Sequence, residues 1–158
     1  MFNKYKKYNL PLYFPITFGQ NIVSMPLECT INNNGLCIIN IEIITELKET
    51  YELSTKVGTK AMIDTGATRC AINSKLVETL NLQKESAVTI RGFENEQTFY
   101  TEVKLVIPEL SKNMVYPASC VISNNMSETE FDIIIGADYL QYLNLERIGK
   151  QNKFILSV

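Results

Sequence analysis

One carboxylate in this chain stands where chemistry would need it. In the stretch AMIDTGATRCAIN, residues 61–73, Asp64 follows an apolar run and is itself followed by Thr65, Gly66 and Ala67. The apolar run reads as a buried strand, and a buried strand that ends on a carboxylate leaves an ionisable group at the rim of a core. Gly66 permits a sharp turn and the close approach of a ligand's main chain. The Thr65 hydroxyl can hydrogen-bond near the carboxylate and hold its orientation. This set suits hydrolysis by paired carboxylates, because two of them about 3 Å apart cannot both ionise and share one proton. One takes a proton from water, which attacks a peptide carbonyl, and the other protonates the carbonyl oxygen. The chain contains no histidine, which excludes serine–histidine and cysteine–histidine nucleophiles and removes the commonest metal ligand. A carboxylate pair needs no histidine, no metal and no cofactor. Asp-Thr-Gly alone also occurs as a plain turn or a helix cap.

A pair needs a second member. The chain holds three aspartates, Asp64, Asp132 and Asp138, and neither of the other two precedes a Thr-Gly or Ser-Gly step. Asp132 reads as the solvated start of an apolar strand. Asp138 reads as a helix-start residue favoured by the helix dipole. The chain therefore carries half of a site, and its partner would be Asp64 of a second copy related by two-fold symmetry.

The elements that must position Asp64 are mostly strands. LCIINIEIITEL (36–47) is β-branched and partly alternating, after a turn signal at NNNG (32–35). YELSTKVGTKAMID (51–64) continues the alternation, with Gly58 marking a turn. NSKLVETLNL (73–82) is helical, capped by Asn73 or Ser74, with Leu76, Val77 and Leu80 on one face. AVTIRGFENEQTFYTEVKLVI (87–107) predicts a β-hairpin around GFENE. MVYPASCVIS (114–123) and FDIII (131–135) predict two further strands, the second ended by Gly136. ADYLQYLN predicts a short helix, and LERIGKQNKFILSV a closing hairpin around residues 149–152. Strands without βαβ alternation predict a mainly β, barrel-like domain. Residues 1–30 differ: Pro11, Pro15 and Pro26 disfavour a long helix or central strand. They read as an extended aromatic and proline-rich arm before a domain over 31–158. The arm either packs on the body or the dimer partner, through Tyr13, Phe14 and Phe18, or occupies a cleft, or is disordered.

Over residues 36–158, the succession AMIDTGAT, TIRGFENEQTFYTEV and FDIIIGADYL resembles the retropepsin-like aspartic proteases, which comprise the retroviral proteases and their single-domain cellular and bacterial relatives. The resemblance implies a retropepsin-like closed β-barrel with a ψ-loop, a flap hairpin and two short helices. It implies a homodimeric aspartic endopeptidase acting on peptide or unfolded protein. By the same resemblance Asp64 is the catalytic aspartate and Thr65 braces the dyad across the dimer. Gly66 and Ala67 would line the substrate backbone. Residues 91–96 would form the flap tip, with Gly92 and Phe93 over the peptide. The chain departs from the retroviral pattern in having one flap glycine, Gly92, and in carrying Ala137 where those enzymes usually have arginine. The acid that pairs with that arginine is replaced by Thr68, so both partners are absent together. GADYL matches the Gly-x-Asp-x-Leu form of the cellular and bacterial branch.

The competing function is a module of the same fold that grips extended peptide without cleaving it, or a β-domain in which Asp-Thr-Gly is merely a turn. Ile72, Val88 and Ile90 would supply apolar subsites. Hydrophobic residues make up 46% of the chain and charged residues 20%, enough apolar residue for a real core. A net charge of −2 gives no pull toward nucleic acid or anionic membrane. The cysteines, Cys29, Cys37, Cys70 and Cys120, form no C-x-x-C pair, which argues against zinc. They read as buried free thiols in a reducing compartment. The first residues lack the apolar core of a signal peptide, so the expected location is cytoplasmic.

Overall fold

Isoleucine at every second position makes the first long strand one-sided. In a computed structural model, which describes residues 16–19, 23–90, 96–126 and 129–158, Cys37–Glu46 is a strand whose Ile39, Ile41 and Ile43 are at most 5% exposed. We number the strands in chain order: β1 (Ile16–Thr17), β2 (Leu27–Thr30), β3 (Cys37–Glu46), β4 (Thr55–Ile63), β5 (Ala71–Asn73), β6 (Ala87–Ile90), β7 (Glu96–Val106), β8 (Met114–Ser123), β9 (Ile133–Ile135), β10 (Asn144–Ile148) and β11 (Lys153–Ser157). Two short helices, α1 (Ser74–Thr79) and α2 (Ala137–Leu140), follow β5 and β9. Asn73 caps α1, its side chain accepting from the Lys75 N–H, and Val77 is the buried residue of that helix.

Six strands close a barrel. The order runs β8–β5–β9–β4–β3–β7, and β7 pairs back onto β8. Closure removes the free edges that an open sheet would expose. β1 and β6 hang on β8 and β7 as short outliers. Pro117 sits within β8, yet costs no ladder bond on one side. Neighbour β1 pairs only with Met114 and Val115, and β5 only with Val121–Ser123. The proline falls in the gap between them. A second sheet, β10–β11–β2, packs beside the barrel. Leu27, Cys29 and Leu156 carry it into the same core as Ile41, Ile72, Leu105 and Ile133.

Four expectations change. Gly58 is not a turn: it lies within β4 opposite Glu42, and the chain reverses over residues 47–54, where the Ser54 N–H donates to the Thr50 carbonyl at 3.1 Å. Period-two alternation simply runs through the glycine. Asp132 is half-buried and engaged rather than simply solvated. Its carboxylate accepts from the Thr59 hydroxyl at 2.7 Å and from the Asn73 amide at 3.0 Å, so it ties β4 to the start of α1. Cys29 and Cys37 are not free thiols but a disulfide joining β2 to β3, because the terminal sheet folds back over the start of β3. The thiol argument for a reducing compartment therefore falls, while Cys70 and Cys120 remain free and buried. Fourth, Ile72 is fully buried in the barrel and cannot line a subsite.

Within the first thirty residues, β1 pairs with β8 and Phe18 packs against Ile44, Val106 and Val115. Tyr13 and Phe14 lie outside the described residues. Among the described residues no helix is long and apolar enough to cross a membrane.

Candidate active site

β4 delivers Asp64, and β5 leads away from the loop that follows. β9 lies between them, parallel to β4 (Ile63↔Ile135) and antiparallel to β5 (Ile72↔Ile133). This insertion of one strand between two connected ones is the ψ arrangement, and it locks the loop from below. The Asp64 N–H donates to the Ile135 carbonyl at 3.0 Å, which continues the β4–β9 ladder one residue into the loop. The Gly66 N–H then donates to Asp64 Oδ1 at 2.9 Å, and the Ala67 N–H to the Asp64 carbonyl at 3.2 Å. One carboxylate oxygen is thus oriented by the turn itself, with Asp64 half-buried and Thr65 and Gly66 exposed.

The far side of the loop is pinned by α2. The Ala137 N–H donates to the Ala67 carbonyl at 2.8 Å, and the Asp138 N–H to the Thr68 carbonyl at 3.2 Å. The approach is close enough to demand glycine. A Cβ on Gly136 would meet the Arg69 carbonyl carbon and oxygen at 2.6 Å and the Ala67 oxygen at 2.9 Å. Asp138 does more than start a helix: its Oδ1 accepts from the Cys70 N–H at 3.1 Å and the Cys70 thiol at 3.2 Å. The hydrogen bond with Cys120, with burial second, pushes the Cys70 thiol far up, so it stays a neutral thiol and supplies no nucleophile. Beneath α2, burial raises the Tyr139 phenol well above its ordinary value and pushes Tyr116 up to about 12.

Asp64 and Thr65 open onto a surface cavity of about 660 Å³. Its walls come from the β2–β3 connection (Ile31, Asn32, Leu36), from the end of β4 (Met62, Ile63) and from the terminal hairpin (Arg147, Asn152, Phe154). Among the described residues no cluster of histidine, cysteine, aspartate or glutamate could hold a metal.

Residues 52–142, more than half of the chain, match the family described as "gag-polyprotein putative aspartyl protease". The chain belongs to this aspartyl protease family. Its fold is that of the retropepsin-like proteins. A retropepsin-like aspartic protease from Rickettsia conorii superposes with a TM-score of 0.61 at 14% identity, over 88% of this chain and 95% of that one. The retroviral protease-like domain of Ddi1 from Leishmania major matches at a TM-score of 0.43 and 14% identity, over 87% and 94%. A comparison with curated proteins found no match.

For a member of this aspartyl protease family, the expected residues fall unevenly. Asp64 and Thr65 share one loop and line the cavity, whereas Gly66 and Ala67 shape the loop rather than the cavity wall. Gly92 and Phe93 lie outside the described residues. Val88, on β6, is half-buried and not part of this cavity. Sequence reasoning missed Arg147, Asn152 and Phe154, because nothing local marks a closing hairpin as a wall of a site at Asp64. It also missed the Asp138–Cys70 anchor. The GADYL match was a signal for that anchor, but a helix-start role was explanation enough.

Proposed function

We propose that this protein is a homodimeric aspartic endopeptidase in which two Asp64 carboxylates, one from each copy, activate the attacking water. The observation that carries the reading is that Asp64 opens onto a cavity with its carboxylate oriented by its own loop. Asp132 and Asp138 are committed to structural hydrogen bonds, so neither is available as a partner within the chain. With the dyad singly protonated, one carboxylate removes the proton from water while the other donates to the peptide carbonyl oxygen. Thr65 braces the two loops against each other across the dimer. Gly66 and Ala67 present backbone to an extended peptide, and Gly92 and Phe93 close over it from the flap.

Assembly has a physical route. The terminal sheet flanks the Asp64 cavity, and its outer strands β2 and β10 each pair on one side only among the described strands. Such edges accept a further strand. Two-fold addition there is compatible with bringing the Asp64 loops together. Activity should follow a bell-shaped pH profile, its two apparent pKa values belonging to the pair.

The test is Asp64→Asn, assayed on denatured protein. A near-isosteric amide cannot share the proton, so cleavage should fall roughly a thousandfold or more with the circular dichroism spectrum unchanged. Excess Asp64→Asn chain mixed with wild type should poison activity through mixed dimers. Cleavage by the variant at the wild-type rate would refute the role of Asp64. Peptide binding by the wild type with no cleavage would make the protein a binding module instead.

A further inference from the structure

One wall of the Asp64 cavity carries a charge that the hydrolytic chemistry does not use. Arg147, on β10, lies directly opposite Phe154 of β11, and Phe154 lies opposite Cys29 of β2. Residues directly opposite one another in antiparallel strands point to the same face, so these three form a row across the terminal sheet. The row continues through the Cys29–Cys37 disulfide to the residue paired with Ile63, next to Asp64. The guanidinium carbon lies over the Phe154 ring, 5.7 Å from its centroid, within cation–π reach. Among the described cavity-lining residues it is the single cation, and Asp64 is the single anion. No carboxylate of the described residues lies within ion-pair distance of it. Asn32 on the same wall has its side-chain oxygen fixed by the Asn34 and Leu36 N–H groups, and its neutral amide offers a carboxylate no charge.

We propose that Arg147 is a specificity-determining residue, selecting peptides that bring a carboxylate to the wall of the cavity beside Asp64. This rests on the reading of that cavity as a peptide site. A guanidinium offers a planar fork of donors matched to a carboxylate, and the Phe154 contact occupies none of those donors. Neutral amides lack the charge, and lysine or arginine side chains are repelled. The carboxylate comes either from an acidic side chain or from the carboxyl end of a short peptide, two sources that present the same group.

The experiment measures binding to the full Asp64→Asn chain, which reads recognition without cleavage, and kcat/KM with the wild type. One probe set is a peptide carrying glutamate or glutamine at each position in turn; the other is the same peptide as free acid or C-terminal amide. The expected result is roughly tenfold tighter binding for the carboxylate form at one position or at the chain end, weakening with salt. Arg147→Glu should invert that preference toward a lysine peptide, and Arg147→Lys should keep part of it. Arg147→Gln, which should abolish the preference without inverting it, serves if the charge reversal perturbs the fold. Equal affinities for acid and amide forms would overturn the proposal. So would an unchanged preference in the Arg147 variants, a loss of dimer mass in Arg147→Glu with preference intact, or no binding of any peptide. Preference without wild-type cleavage would instead sink the endopeptidase reading and leave this one standing.

Discussion

The loop that holds Asp64 and the sheet that walls its cavity are built on opposite terms. The loop is clamped by backbone on both sides, by Ile135 from below and by Ala137 and Asp138 from α2. Its supports are among the least exposed residues of the chain, with Cys70, Ile133 and Ile135 at 0%. The terminal sheet is three short strands with two outer edges. It is held by one disulfide, by Leu27, Cys29 and Leu156 in the core, and by a Lys153–Glu28 pair at 3.1 Å whose glutamate is largely in water. An exposed pair of that kind adds little. A reacting group must be fixed to within a fraction of an ångström, and backbone contacts inside a closed barrel do that for almost any side chain around them. A wall that chooses ligands or meets a second copy can vary without disturbing the chemistry. On the readings proposed above, position lies in the barrel and selectivity in the appended sheet.

The contrast can be broken most forcefully at Gly136. Gly136→Ala sets a methyl against the Arg69 and Ala67 backbone, where neither neighbour can rotate away. We expect destabilisation of about 3 kcal/mol and loss of cleavage, read by urea denaturation and peptide hydrolysis. A variant of wild-type stability and activity would mean that the loop is not clamped. On the sheet side, reducing the Cys29–Cys37 bond opens a loop of eight-residue separation. That should cost about 2–3 kcal/mol, seen as a lower midpoint in reductant, while the barrel's own cooperative transition persists. If reduction melts barrel and sheet together, the two regions are not separable.

The finest distinction lies under α2. Among the described residues the buried Tyr139 hydroxyl has no hydrogen-bond partner, so Tyr139→Phe should gain about 1 kcal/mol at neutral pH. Burial raises the Tyr139 pKa above its ordinary 10.0, and that of Tyr116 to about 12. The folded state therefore holds these protons more tightly than the unfolded chain. The stability this contributes is complete below pH 10 and is lost as pH rises through the raised values. The phenylalanine variant lacks one of the two groups and should lose stability less steeply between pH 10 and 12. Parallel curves for the two proteins would show that Tyr139 is not desolvated.

Much of the barrel could be read from local pattern. Alternating isoleucines marked β3, a continuous apolar run ending in glycine marked β9, and Asn73 with Leu76, Val77 and Leu80 marked α1. Such signals survive because burial on one face acts residue by residue along the chain. Gly58 misled for the same reason: a local turn signal was overridden by a strand whose partner, β3, lies elsewhere in sequence. Asp132 looked solvated because its hydrogen-bond donors, Thr59 and Asn73, come from other elements. The Asp64 loop was legible because its chemistry is contiguous, Asp-Thr-Gly-Ala in four successive residues.

By itself the sequence determined that one carboxylate follows a buried strand, that no histidine or C-x-x-C pair competes with it, and that no second Asp-Thr-Gly exists in the chain to complete a pair. These are matters of residue type and order, and folding cannot change them. Only the tertiary structure decided what surrounds that carboxylate. It brought Asp138 under the loop, joined Cys29 to Cys37, and stood Arg147 and Phe154 on the wall of the Asp64 cavity. Each of these depends on strand pairings between distant segments, where register and sheet order choose the neighbours. Register is fixed by the packing of whole faces, a property that no short stretch of residues contains.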